Sequence, residues 1–287
     1  MAERTLRALH PATRDDIGDL RTQRPVPNAR ISQIDPFLFL NHHGPQRYGP
    51  GNHGLPFGPH PHRGFETVTF ILEGELAHQD SAGHESIIRA GGIQWMTAGS
   101  GIVHAEVSPR AFLEHGGPLE ILQLWVNLPS HLKMSPPAYT GLQRDAIPAL
   151  SLDDGKVTLN LVAGQFGTQR GPVETLLDIF MSTLDMRAGG RLHVDGLAGR
   201  NVLLYVVKGE LRVAGATVPA LQLCELNDDG DALDMRASAD SVVLFGHARP
   251  LGEPVVAHGP FVMNTRAEIT QAILDYQAGR FGAPMQR

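Results

Sequence analysis

Cysteine is almost absent from the 287-residue sequence, which contains only Cys224. One cysteine cannot form an internal disulfide or a cysteine-based zinc site, and this usage is typical of a protein in a reducing cytoplasm. No run of lysine or arginine occurs, and the formal net charge is −6, from 24 basic and 30 acidic residues. We therefore predict a cytoplasmic protein that does not bind nucleic acid through phosphate contacts.

Long apolar runs are missing as well. The N-terminal segment carries charges throughout and has no apolar core, so we predict no signal peptide. No later stretch approaches the roughly 18 apolar residues that a membrane span needs, which predicts no membrane association. With 42% apolar and 19% charged residues, the composition is that of an ordinary globular protein.

Glycine and proline are abundant, with 32 and 21 residues. Short apolar segments separated by glycine turns occupy residues 66–129 and again 156–250. Regularly spaced short strands of this kind predict a sandwich or a barrel. A proline-rich connector at 129–149 separates the two series, and we predict domains at 1–135 and 136–287.

The two series of strands resemble each other. TVTFILEGELAHQD (67–80) and LLYVVKGELRVAG (203–215) each contain an apolar strand, a turn with the string GEL and a returning strand. This internal repeat predicts two β domains of the same kind in tandem. The last segment differs, because Thr265 and Glu268 have the spacing of a capping box and apolar residues follow at helical spacing. We predict a closing helix from about 265 to 279.

The sequence has 14 histidines, of which two pairs carry the chemical signal. His60 and His62 are two residues apart, as are His104 and Glu106, so each pair shares one face of a strand. If no bulge intervenes, Glu66 follows on the inward face of the first pair. Three imidazoles and one or two carboxylates suit a divalent ion such as Fe(II), Mn, Ni, Cu or Zn and leave coordination positions open.

The residues alone leave the carboxylate ligand open between Glu66 and Glu106, since Glu66 is also suited to orient a histidine ligand. Residues 45–61 predict a long irregular loop that borders the site near Phe57. We interpret the other histidines as loop, turn or surface residues and not as ligands; these include His42, His43, His53, His78, His84 and His115.

A resemblance to the pirin family of the cupin superfamily covers roughly residue 15 to the C-terminus. It is carried by four segments: DPFLFLNHHGP, PHPHRGFETVTFILEGELAHQDSAGH, GGIQWMTAGSGIVHAE and GPFVMNTRAEITQAILDYQAGRFG. The resemblance implies an all-β fold of two tandem cupin domains, which are jelly-roll β-barrels, with a short C-terminal helix. It also implies one divalent metal per chain, with Fe(II) favoured over Mn, Ni, Cu and Zn. The implied ligands are His60, His62, His104 and Glu106, and Glu66 is expected nearby without binding the metal.

The match to the cupin motifs is uneven along the chain. In the second motif of the first domain, Gly99 stands where proline is usual and Ser108 where asparagine is usual. Aligning the two GEL strings places Asp195 and Leu197 at the positions of the first two histidine ligands. We therefore expect the C-terminal cupin to be degenerate and to hold no metal.

The resemblance implies an enzyme. Some bacterial pirins are similar to quercetin 2,3-dioxygenases, which open the central ring of a flavonol with O₂ and release carbon monoxide. This implies a small flavonol-like aromatic substrate and O₂, with Glu106 or Glu66 as the base that accepts the proton of the substrate hydroxyl. The alternative is a non-enzymatic metal- or redox-sensing regulator that binds a partner protein. A third hypothesis, another metal-dependent cupin activity such as an isomerisation, is disfavoured by the family-specific strings.

Overall fold

The computed structural model describes residues 2–283. These residues fold into short strands with two α-helices and two 3-10 helices. The first half contains β1 (Leu6–Pro11), β2 (Thr13–Arg14), β3 (Thr22–Val26), β4 (Phe37–Tyr48), β5 (Phe57–His62), β6 (Phe65–Glu73), β7 (Glu75–Asp80), β8 (Glu85–Arg89), β9 (Ile93–Thr97), β10 (Ile102–Val107), α1 (Arg110–His115), β11 (Gly117–Asn127) and β12 (Ala138–Leu142).

The second half begins with the 3-10 helices Arg144–Ala146 and Asp153–Gly155, which flank the first of its strands. Its other elements are β13 (Ala149–Leu152), β14 (Val157–Ala163), β15 (Gln165–Phe166), β16 (Gln169–Arg170), β17 (Ile179–Met186), β18 (Arg191–Val194), β19 (Asn201–Lys208), β20 (Glu210–Val213), β21 (Ala216–Pro219), β22 (Gln222–Leu226), β23 (Leu233–Ala237), β24 (Ser241–Ala248), β25 (Val256–His258), β26 (Phe261–Met263) and α2 (Arg266–Gln277). The predicted all-β class is confirmed.

The chain divides into two compact units. We call N-unit the one formed by Arg14–Thr22, Phe39–Arg144 and the residues from Leu251 onward, and C-unit the one formed by the residues through Thr13, Gln23–Leu38 and Asp145–Pro250. These units differ from the predicted ranges 1–135 and 136–287. Strand periodicity shows where a strand lies along the chain, but it does not show which sheet edge the strand joins.

The C-unit has two antiparallel sheets that contribute to one hydrophobic core. The larger sheet has the strand order β1-β22-β19-β24-β17-β14-β13, and the smaller has the order β18-β23-β20-β21. One terminal segment joins this unit because β1 pairs with β22, for example Leu9 with Cys224. One large cluster of buried apolar side chains fills the unit, and it includes Val202, Leu204, Val213, Cys224, Leu233, Met235 and Phe245.

The N-unit repeats this two-sheet arrangement. Its strands follow the orders β12-β9-β6-β11-β4 and β5-β10-β7-β8. A buried apolar cluster that includes Ile71, Leu76, Leu119 and Ile121 fills one end of the unit. The strands that carry these residues continue into the polar region described below.

Helix α2 belongs to the N-unit and begins as predicted. The Thr265 side chain accepts a hydrogen bond from the Glu268 amide, and the Glu268 carboxylate accepts one from the Thr265 amide at 2.8 Å, which completes the capping box. Ile269 and Ala272 are buried on the inner face of the helix. The predicted closing helix is confirmed. Among the described residues, no helix combines the length and apolarity needed to cross a membrane.

The glycine- and proline-rich loop is shorter than predicted. Strand β4 continues through Gly44 and Pro45 to Tyr48, and β5 begins at Phe57, so only residues 49–56 lie outside strands. The histidines before this loop lie within β4 and are buried, and His43 contacts the ring of Phe57 at a centroid distance of 5.3 Å.

Candidate metal centre

Two neighbouring strands of the N-unit bring three histidines together. Strands β5 and β10 are antiparallel, and His104 lies directly opposite His60. His62 is two residues further along β5, on the same face as His60. The nearest ring nitrogens of the three residues all lie within 4.8 Å of one another, and the ring centroids are 4.4 to 4.9 Å apart. The predicted imidazole cluster is therefore assembled.

The tautomers of the first two histidines follow from their partners. Nδ1 of His60 lies 2.8 Å from the Gly58 carbonyl, and Nδ1 of His62 lies 3.2 Å from the Pro260 carbonyl. A carbonyl oxygen only accepts, so each Nδ1 donates and Nε2 is the nitrogen left to bind a metal when the ring is neutral. Burial and the neighbouring His60 lower the pKa of His62 to about 3, so its ring is neutral at physiological pH.

His104 is the member of the cluster whose ring nitrogens are buried without hydrogen-bond partners in the described part of the chain. Its side chain is fully buried, and neither ring nitrogen has a hydrogen-bond partner among the described residues. Burial and the other imidazoles hold its pKa well below the usual value, so the ring is neutral. Unpartnered buried nitrogens are costly in a folded protein. A divalent metal ion would satisfy one of the two His104 nitrogens, and neutral imidazoles are the form that binds such ions.

Glu106 follows His104 on the same face of β10 and is fully buried. Its Oε1 accepts hydrogen bonds from the Thr69 hydroxyl at 2.9 Å and from the Gln94 amide, and its Oε2 accepts one from the Gln123 amide. These three donors compensate for the burial of the carboxylate. Its oxygens are held in these hydrogen bonds and are not grouped with the three imidazole nitrogens.

Glu66 is not on the face predicted for it. Strand β5 ends at His62 and β6 begins at Phe65, and Gly64 between them has a φ of 89°, a conformation that favours glycine. This turn resets the alternation, so Phe65 contacts the His62 ring at 5.0 Å while Glu66 points to the opposite face of β6. The condition for Glu66 to share the face of the first histidine pair, that no bulge intervenes, is therefore not met.

The surroundings of Glu66 are nevertheless distinctive. The Thr97 hydroxyl donates to its Oε1 at 2.6 Å, and the side chain is almost completely buried. Burial raises the pKa of Glu66 to about 7, against the opposing hydrogen bond of Thr97. The residue is thus a buried acid on the outer face of the strand that lines the cluster.

A third polar pair, which was not predicted, lies next to the cluster, and it shows that the interpretation of His78 as a turn or surface residue is wrong. His78 on β7 lies opposite Glu106 on β10, is buried, and approaches the His104 ring with a centroid distance of 5.5 Å. Its Nε2 lies 3.1 Å from the Asp80 carboxylate, and its ring stacks on Tyr139 at 4.1 Å. The two-residue spacing of His78 and Asp80 is the signal that could have identified this pair.

The segment after residue 251, which belongs to the N-unit, contacts the strand that carries His60 and His62. Arg63, next to His62, forms a buried ion pair with Asp275 of α2 at 2.8 Å. Its guanidinium also lies 4.6 Å from the centroid of the Phe281 ring. Together with the Pro260 carbonyl, these contacts fix the end of β5 where His62 is placed.

Family profiles and relatives agree with this architecture. The Pirin profile matches residues 19–126, and the profile of the pirin C-terminal cupin domain matches residues 181–282. A Pseudomonas aeruginosa protein that bears the provisional name quercetin 2,3-dioxygenase is 42% identical over 254 residues, which are 88% of this chain and 89% of that protein. A pirin-like protein of Caulobacter vibrioides is 41% identical over 271 residues, 94% of this chain and 95% of its own.

A solved structure is similar over almost the whole chain. The crystal structure of quercetin 2,3-dioxygenase from Acinetobacter baumannii superposes with a TM-score of 0.92 at 34% sequence identity. The match covers 99% of this chain and 100% of that one. Two cupin domains in one chain are therefore common to both proteins.

Proposed function

This chain belongs to the pirin family, and from that premise we propose that it is a metal-dependent dioxygenase that opens the central ring of flavonols with O₂. The observation that carries the proposal is the cluster of three imidazoles, in which His62 and His104 are buried and neutral and His104 has no hydrogen-bond partner among the described residues. The likeness to the Acinetobacter baumannii enzyme supports the choice of reaction.

We propose His60, His62 and His104 as metal ligands, with Glu106 as the fourth ligand from the same face of β10. Imidazole and carboxylate donors without thiolate suit a first-row divalent ion, and we propose Fe(II), with Mn, Ni, Cu and Zn as the competing ions. When bound, the metal supplies Lewis-acid stabilisation of the substrate anion and the site at which O₂ is activated.

Glu106 is the proposed general base. A carboxylate within reach of the substrate can accept the proton of the flavonol 3-hydroxyl. Thr69, Gln94 and Gln123 hold both oxygens of this carboxylate, so its position is fixed before substrate arrives. Glu66 is unsuited to this role because it lies on the opposite face of β6.

The proposed pocket has a wall suited to a planar aromatic ligand. Trp125 contacts the His62 ring at 5.4 Å and the Phe65 ring at 4.4 Å, so aromatic faces adjoin the ligand cluster. His60 is the least buried of the three histidines, so we propose that the site opens on its side. Apolar walls of this kind bind a flavonol ring system and exclude water from the reacting atoms.

The test is reconstitution with Fe(II) without oxygen, followed by O₂ uptake with quercetin. We expect one iron per chain, O₂ uptake that requires both iron and quercetin, and release of carbon monoxide. Parallel reconstitution with Mn, Ni, Cu and Zn ranks the ions by turnover. One bound iron without quercetin-dependent O₂ uptake would contradict the proposal and favour a metal-sensing regulator, to be tested next by capture of a protein partner.

A further inference from the structure

Three arginines form a row across the outer face of the smaller sheet of the C-unit. Arg191 on β18 lies opposite Arg236 on β23, and Arg236 lies opposite Arg212 on β20. All three side chains are exposed, while their strand neighbours, such as Leu192 and Met235, are buried in the apolar cluster. With neighbouring strands about 4.8 Å apart, the row spans roughly 10 Å.

This row concentrates three positive charges, which Asp234 and Glu3 at its edge offset only in part. None of the three guanidiniums forms an ion pair within 4.0 Å in the described part of the chain, and Arg212 donates only to the carbonyl of Gly215, at 3.4 Å. Like charges directly opposite each other across a strand pair are destabilising. The folded C-unit therefore tolerates repulsion between these guanidiniums, which would be reduced if any one of the three arginines were a neutral residue.

Two carboxyl groups lie at the edge of the row. Asp234 accepts a hydrogen bond from Nδ1 of His193 at 2.7 Å. Glu3 approaches the same carboxylate, and the hydrogen bond between the two acids raises the pKa of Glu3. Asp234 is thus engaged by His193, and three guanidiniums face two carboxyl groups.

The same residues line a cavity that is open to solvent. Its volume is about 270 Å³, and the three arginines line it together with Glu3, Asp234 and the turn at Gly215. A guanidinium matches a phosphate group with two parallel hydrogen bonds, and several in a row match linked phosphates. We propose that this cavity binds a small anion with two phosphate groups, such as a diphosphate or a diphosphate ester.

The probe is inorganic pyrophosphate, titrated calorimetrically into the metal-free full-length protein at low salt. We expect Arg236→Gln, at the centre of the row, to weaken binding at least about tenfold, because a hydrogen bond to a charged group contributes that much or more. Arg187→Gln, which removes an exposed arginine outside the cavity, is the matched control and is expected to bind like the wild type. Glu3→Gln is expected to bind more tightly, because it removes a competing carboxyl group.

Further variants distinguish binding at the arginine row from effects of the metal centre and from non-specific electrostatic attraction of pyrophosphate. His104→Leu, altered only in the N-unit, should bind pyrophosphate like the wild type, so the result does not depend on the proposed dioxygenase. Equal affinities for Arg236→Gln and Arg187→Gln would overturn the proposal, as would the absence of binding by the wild type. Tighter binding of single-stranded DNA than of pyrophosphate through the same arginines would replace the small ligand by a nucleic acid.

Discussion

In the N-unit, Thr69 on β6 lies opposite Gln94 on β9 and opposite Gln123 on β11. All three side chains donate hydrogen bonds to Glu106 on β10. Glu106 in turn lies opposite His78 on β7. Four strands thus contribute polar groups around one buried carboxylate, next to the three histidines.

The C-unit has the same pairings with different side chains. Leu204 on β19 lies opposite Cys224 on β22 and Phe245 on β24, and Met235 on β23 lies opposite Val213 on β20. Each of these side chains belongs to the buried apolar cluster. Two residues before Met235, at the position of His104, stands Leu233.

The difference separates what the fold needs from what the site needs. The C-unit forms the same strand pairings with an entirely apolar filling at these positions, so the architecture does not require buried polar groups. The N-unit keeps them although each unsatisfied buried polar group costs about 1–3 kcal/mol. The polar filling is therefore not needed for the strand pairings, and five predictions test whether it serves the proposed metal site.

The largest expected effect is that of His104→Leu, which gives the N-unit the residue of the C-unit. We expect loss of the metal and of quercetin-dependent O₂ uptake, since the ligand itself is removed and even groups that only support a ligand alter affinity by about 10–100-fold. Metal analysis and oxygen uptake measure both effects. Leu233→Met in the C-unit is the matched control, and one metal retained per chain in His104→Leu would contradict the ligand assignment.

The next effect is on the carboxylate of Glu106. Gln123→Leu removes the donor to its Oε2 and is expected to weaken metal binding by about 10–100-fold and to destabilise the protein by about 1–3 kcal/mol. Phe245→Leu makes a comparable change at the matching position of the C-unit and should leave metal affinity unchanged. Metal competition titrations of both variants measure the difference; equal affinities would contradict a supporting role for Gln123.

The stability of the metal-free protein gives the third test. His104→Leu removes two unpartnered buried nitrogens and should increase the free energy of unfolding by about 1–3 kcal/mol. The reverse exchange in the C-unit, Leu233→His, buries an unpartnered imidazole and should decrease it by a similar amount. Urea unfolding of both proteins measures the two values. Destabilisation by both exchanges would mean that the metal-free N-unit is already adapted to His104.

The pH dependence of stability should differ between two buried groups. Burial lowers the pKa of His247 in the C-unit to about 3 from 6.5, so its contribution is present above pH 6.5 and is lost as the pH falls toward 3. Replacing it by His247→Phe should flatten the acid side of the stability curve by up to about 1.4 kcal/mol per pH unit. Urea unfolding from pH 7 to 4 measures the slope, and an unchanged slope would refute the neutral state of His247.

The smallest expected effect concerns Glu66 in the N-unit. Its pKa is raised from 4.5 to about 7, so its contribution to stability is present below pH 4.5 and is lost as the pH rises through 7. Glu66→Gln should therefore remove a decline in stability between pH 5 and 7 while metal content and turnover stay close to wild type. Loss of metal in this variant would show that Glu66 is a ligand.

Much of the fold could be predicted from residue patterns. The capping box at Thr265 placed α2, and the repeated GEL strings indicated two β domains of the same kind. The membership of terminal segments could not be predicted, because the pairing of β1 with β22 joins residues that are more than two hundred positions apart. Local periodicity contains no information on such long-range pairing.

The site was predicted in part. Two-residue spacing placed His60, His62 and His104 on inward faces, and the structure brings them together. The same rule failed for Glu66, because the left-handed Gly64 interrupts the strand. Gln94 and Gln123 were missed because an isolated amide in an apolar strand has no local signature; its role appears only when the register brings it to a buried carboxylate.

The discontinuous N-unit also sets an order for its own synthesis. The C-unit is complete when Pro250 has been made, whereas Pro260 and Asp275, which fix His62 and Arg63, follow later. The 171 residues from His104 to Asp275 take roughly 9–34 s at about 5–20 residues per second. During that interval a nascent chain carries all three imidazoles without the segment that contacts His62 and Arg63, so the proposed metal site would be complete only after α2 has been translated.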